Sequence, residues 1–169
     1  MNNNDVLRRL RYIFDLSDAR MGKIFSLGGL EVRRGHIVAW TLKDEDPAFE
    51  ECNDRMLAAF LNGLIIERRG KREGPQPKPE QQLGNNLILM KLKIALALQA
   101  EDVIEVMDLA GFSLSASELS AFTRRPGHRN YRKCQDQVLR NFLMGLQIKL
   151  RGKTQKPEPV PSPWGKPNQ

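Results

Sequence analysis

Apolar side chains recur along this chain at helical spacing, and the same order of spacings appears twice. Val6, Leu7, Leu10, Ile13 and Phe14 fall on one face of a helix from about Asn4 to Leu16, with Arg8, Arg9 and Arg11 facing away. Met21, Ile24 and Phe25 give a short second helix that stops at Gly29, where glycine can adopt the left-handed conformation that closes a helix. Ile37 and Trp40 point inward from a third helix over about Arg34 to Lys43. Asp46-Pro47 suits the start of a long fourth helix, with the carboxylate as N-cap and proline in the first turn; it carries Phe49, Cys52, Met56, Phe60 and Leu64 and ends near Gly70.

The second pass begins 82 residues later and keeps that offset without a gap, as Gly152 from Gly70. Asn3-Asn4 matches Asn85-Asn86, and Trp40 falls on Phe122. Cys52-x-Asp54 matches Cys134-x-Asp136, and Leu57-x-x-Phe60-Leu61-x-Gly63-Leu64 matches Leu139-x-x-Phe142-Leu143-x-Gly145-Leu146. The copies of the four helices follow. The first covers Leu87 to Leu98, with Leu89, Leu92 and Leu96 inward and Lys91 and Lys93 outward. The second carries Val103, Val106 and Met107 and stops at Gly111. The third opens with the capping-box spacing Ser115-x-x-Glu118 before Leu119 and Phe122, and the fourth runs from about Asn130 to Arg151. Gly63 and Gly145 sit inside long helices, where glycine costs about 1 kcal/mol relative to alanine; their recurrence points to close helix contact.

The chain therefore divides into a first helical repeat at 3–71, a proline-rich connector at 72–84, a second repeat at 85–153 and a proline-rich tail at 154–169. The tail holds five prolines and Trp164; it cannot build a core and is expected to be disordered when alone. The fold class is all-α: a tandem duplication of a four-helix unit with helix-turn-helix-like second and third helices, packed about a pseudo-two-fold. Two beads on a string is the alternative, and so short a connector favours contact between the units.

Bulk composition narrows the classes. The 169 residues are 40% hydrophobic and 28% charged, ordinary for a globular protein. There is no apolar run long enough for a membrane span and no secretory start, so a cytoplasmic location with free thiols is expected. The net charge is +7, and it is uneven: residues 3–71 hold 12 bases and 11 acids, whereas residues 85–153 hold 11 bases and 6 acids. The sharpest contrast lies in equivalent segments. Lys43 to Glu51 carries one base and five acids; Arg125 to Lys133 carries four bases and no acid, with Arg124 just before it.

The catalytic inventory is thin. His36 and His128 are not repeat equivalents, and two cysteines 82 residues apart lack the tight ligand spacing of a structural zinc site, so no metal and no cofactor is expected. Cys52 and Cys134 read as small buried residues, although Cys134 has His128 six positions upstream. Asp54 and Asp136 fit capping or pairing roles, with a two-carboxylate site across the pseudo-two-fold as the other reading. No phosphate-cradling glycine motif is present. The chain is expected not to be an enzyme and shows no small-molecule substrate site.

Asn3 to Phe14, Leu119-Ser-Ala-Phe122, Pro126 to Tyr131 and Cys134 to Leu143 resemble the YehS-like bacterial proteins, the domain-of-unknown-function family 1456. The resemblance covers about residues 2–153. It implies a small duplicated cytoplasmic protein and supplies no activity or catalytic residue.

Two functions remain open. One is a non-catalytic module that recognises a partner protein, or another copy of itself, through its charged surfaces. The other is DNA or RNA binding through the helix-turn-helix-like pair and the basic segment. Either would use Arg124, Arg125, His128, Arg129, Asn130, Tyr131, Arg132 and Lys133.

Overall fold

The structure is a computed structural model and describes residues 1–152, so the expectations for the tail around Trp164 lie outside the described residues. Among the described residues there are eight helices and no strand. They are α1 (Asn3–Ile13), α2 (Asp18–Leu27), α3 (Arg34–Thr41), α4 (Asp54–Arg69), α5 (Asn85–Ala95), α6 (Ala100–Leu109), α7 (Ala116–Thr123) and α8 (Asp136–Arg151).

Local chemistry sets most of these ends. Asn2 caps α1 by accepting from the Asp5 amide, Ser17 caps α2, and Ser115 with Glu118 forms the expected capping box of α7. The α2 helix closes with Gly29 at φ +90°: the Gly29 and Leu30 amides donate back to Ser26 and Phe25. Gly111 at φ +76° repeats this after α6, with the Gly111 and Phe112 amides donating to Asp108 and Met107.

The fourth helix begins later than its sequence signals indicate. In the first copy α4 starts at Asp54 rather than Asp46, and in the second α8 starts at Asp136 rather than about Asn130. Asp46 uses its carboxylate in a local turn instead, accepting from the Ala48 amide at 2.9 Å. The residues between α3 and α4 then run as an irregular loop whose carbonyls are claimed from α1. Asn4 Nδ2 donates to Trp40 O and Glu50 O, both at 2.9 Å, and Asn4 Oδ1 accepts from the Cys52 amide at 3.0 Å. Asn86 repeats all three bonds on Phe122, Arg132 and Cys134. A helix through Glu50 or Arg132 would consume these carbonyls internally, so the asparagine clamps and the longer helices exclude each other.

Packing links the copies reciprocally. Within each copy the second helix lies on the fourth (α2 on α4, α6 on α8). Between copies α1 packs on α8 and α5 packs on α4, so each first helix leans on the other copy's fourth. One continuous core results, from Leu7, Leu10, Phe25, Trp40 and Phe60 through Leu89, Leu92, Met107, Phe142 and Leu146. Gly63 and Gly145 mark the tightest approaches, as their recurrence indicates. A Cβ on Gly63 would lie 1.8 Å from Ile24 O, and one on Gly145 would lie 2.0 Å from Val106 O. Gly28 faces Gly63, and its Cβ would stand 1.7 Å from Ala59 O.

One polar assignment reverses. Lys91, expected to face outward, is only 9% exposed. Its Nζ donates to Asn62 Oδ1 at 2.5 Å and meets Glu80 Oε2 at 2.8 Å, because α4 and the connector cover that face of α5.

Candidate functional site

The basic segment leaves α7 at Arg124, whose extended backbone ends the helix. Arg125-Pro126-Gly127-His128 then forms a turn in which Gly127 sits at φ +92° and the His128 amide donates to Arg125 O at 3.0 Å. The His128 ring is occupied locally: its Nδ1 accepts from the Asn130 amide at 3.0 Å. The segment is then pulled back to the body, since the Arg132 amide donates to Ala121 O at 3.1 Å and Arg132 O accepts from Asn86.

This path folds the segment against α7 and leaves an open cleft of about 670 Å³ between them. Arg124, Arg129, Asn130, Tyr131 and Arg132 line it, with Ser117, Ser120 and Glu118 from the opposite wall. Arg125, His128 and Lys133 are exposed nearby but do not line it. Tyr131 is half-buried; the other basic-segment residues are exposed. Glu118 is the acid in the wall, and it is engaged with the Ser115 amide at 3.3 Å. Among the described residues, none of the segment's cations forms an ion pair.

Sequence reasoning missed the serine wall. Ser117 and Ser120 lie three residues apart and share a face of α7, a spacing that could have flagged them. The equivalent loop of the first copy is acidic and partly neutralised: Asp44 pairs with Arg8 at 3.3 Å, while Glu45, Glu50 and Glu51 are exposed.

The other candidate chemistry resolves into structure. Cys52 and Cys134 are buried free thiols; burial, aided by the neighbouring Asp54 and Asp136, pushes them up to about 12 and about 11. Asp54 and Asp136 open α4 and α8 and tie them to the first helices. Asn3 and Asn85 each donate to the matching carboxylate at 2.7 Å. The second oxygen of Asp54 accepts from the Leu83 amide at 3.0 Å, and that of Asp136 accepts from the Met1 ammonium at 2.8 Å. The two carboxylates therefore serve separate, equivalent joints. Among the described residues no three His, Cys, Asp or Glu side chains gather as a metal site, and no helix is long and apolar enough to cross a membrane.

Among the described residues, fold and surface together define an all-helical tandem repeat whose second copy carries a basic cleft beside α7. The chain belongs to the family described as "Protein of unknown function (DUF1456)", which matches residues 3–70 and again 85–152. It is similar to the Escherichia coli (strain K12) protein named "Uncharacterized protein YehS", at 41% identity over 147 residues, covering 86% of this chain and 94% of that protein. No solved structure matches it.

Proposed function

We propose that this protein is a non-catalytic binding module whose second repeat receives an acidic stretch of a partner protein in the cleft between α7 and the basic segment. The carrying observation is that Arg124, Arg129 and Arg132 line one concave surface without counter-ions among the described residues, beside Tyr131 and two serine hydroxyls. Guanidinium groups left unpaired at the surface favour carboxylate ligands, which they bind in a bidentate fork. On this reading the scaffold is two four-helix units about a pseudo-two-fold, with a basic loop in one unit and the equivalent acidic loop in the other. Such opposed patches steer and orient a docking partner.

A second reading is nucleic-acid binding. It is favoured by the α6–α7 pair, joined through Gly111 like a helix-turn-helix, with the arginine cluster directly after α7. Crosslinked purification from native cells, with and without nuclease, separates the two. The expected result is a protein partner retained after nuclease and lost with Arg124→Ala/Arg129→Ala/Arg132→Ala. Capture that nuclease abolishes, with oligonucleotide affinity falling steeply in salt, overturns the protein reading. Undiminished capture by the triple variant overturns both.

A further inference from the structure

The duplication extends past the last helix. Pro75, Pro77 and Pro79 of the connector recur as Pro157, Pro159 and Pro161 at the same offset of 82 residues. The connector is a strap. Pro77, Lys78 and Pro79 run beside Asn62, Ile65 and Ile66 of α4, and Glu80 meets Lys91 of α5 at 2.8 Å. Leu83 is buried, and its amide donates to Asp54 at the head of α4. The strap thus runs from the end of α4, beside the α2 end at Ser26 to Gly29, to Lys91 of α5 and the head of α4.

The reciprocal α8–α1 contact offers the same docking track without a cover among the described residues. A cleft of about 390 Å³ lies there, lined by Met1, Arg9, Tyr12, Arg140, Met144 and Gln147 among others. Arg9 stands at the repeat position of Lys91, Met144 at that of Asn62 and Gln147 at that of Ile65. Met1 stands at the position of Leu83, and its ammonium makes the Asp136 bond that the Leu83 amide makes to Asp54.

We infer that residues 154–166 dock on this cleft in cis, as the connector does on its own track. The reach is equal: the stretch from Gly152 to Lys166 has as many residues as the connector uses from Gly70 to Gly84. The chemistry changes on both sides together. The first track presents the Asn62 amide and the Lys91 ammonium and takes Glu80. The second presents the Met144 thioether, the Tyr12 ring and the Arg9 and Arg140 guanidinium groups, and the tail supplies Trp164 where the connector has Gln82. Tryptophan packs favourably on thioether sulfur and on guanidinium planes. Glu158 adds the acid that the basic track takes. An extended proline-rich segment needs no internal hydrogen bonds to hold such a path.

The test uses the full chain with Ser162→Cys carrying a nitroxide label, since Cys52 and Cys134 are buried. Amide signals are read on isotope-labelled protein. The expected result is loss of most peak intensity for Arg9 to Ile13 of α1 and Met144 to Ile148 of α8, independent of protein concentration and relieved by Trp164→Ala. Broadening confined to Arg124 to Lys133, broadening that appears only between molecules in a mixed-label sample, or none on either helix overturns the assignment. Trp164→Ala also tests it apart from the label. Shifts centred on Tyr12, Met144 and Gln147 support docking, and unchanged signals there refute it.

Discussion

Asn4 Oδ1 accepts the Cys52 amide at 3.0 Å while the same side chain donates to Trp40 O and Glu50 O. One buried asparagine on α1 thereby fixes both ends of the loop between α3 and α4. Replacing it with alanine leaves one buried amide and two carbonyls unpaired. Asn4→Ala is expected to lower stability by about 3 kcal/mol, each orphaned group costing about 1–3 kcal/mol before relaxation. Urea unfolding checks this. A loss no larger than that of an exposed control such as Asn130→Ala would contradict the clamp.

The Gly28–Gly63 crossing sets how closely α2 approaches α4. Gly63→Ala and Gly28→Ala are each expected to cost about 3 kcal/mol or more, because their methyl groups meet backbone carbonyls that cannot rotate away. The second copy already holds Ala110 where the first holds Gly28. Ala110→Gly is therefore expected to leave that helix crossing intact, which a thermal melt reads directly.

Ala97 closes α5 at φ +53°, a left-handed conformation that glycine adopts freely but L-residues other than asparagine and aspartate rarely accept. Its repeat partner Asp15 does the same after α1 at φ +51°. Ala97→Gly removes the Cβ conflict and is expected to stabilise the protein by up to about 1 kcal/mol. A lower melting temperature would contradict the strained cap.

The carboxylate of Asp18 is held below the ordinary range first by the hydrogen bond from Arg34, then by Arg11, against its burial. A depressed folded-state value means the contribution is present above the unfolded-state value and is lost as pH falls through the folded one. Stability is expected to fall between about pH 5 and pH 2, and Asp18→Asn is expected to flatten that fall. Denaturant titrations across the range measure both slopes, and identical slopes would contradict the assignment.

Burial lifts both thiols well above the ordinary cysteine range. At roughly pH 8 the native protein is expected to react with a disulfide reagent only as fast as it opens, and denaturant is expected to release two thiols at once. Rapid native labelling of Cys134 would reopen a nucleophilic role for it, with His128 six positions upstream as the base to test.

Much of the fold was legible because packing leaves periodic marks. The apolar stripes of α1, α2, α5 and α6, the glycine stops at Gly29 and Gly111 and the Ser115 capping box all lie where local rules place them. What was not legible depended on distant partners. The late starts of α4 and α8 follow from Asn4 and Asn86 reaching across to loop carbonyls, which no local signal near Asp46 encodes. Lys91 reads as a surface residue until the other copy's α4 and Glu80 cover it. At the candidate site the charges were visible, but the serine wall of the cleft appears only once α7 and the basic segment fold together.

Reciprocal packing of α1 on α8 and α4 on α5 is expected to make the two repeats one unfolding unit rather than two beads. The direct measurement is denaturation followed by Trp40 fluorescence in a Trp164→Phe background, with Gly145→Ala placed in the other repeat. Trp40 is buried in the first repeat, so its signal reports that half. The expected result is a single transition whose Trp40 midpoint drops with Gly145→Ala by the same amount as the circular-dichroism midpoint. A Trp40 midpoint that stays put while the helical signal splits into two steps would contradict it.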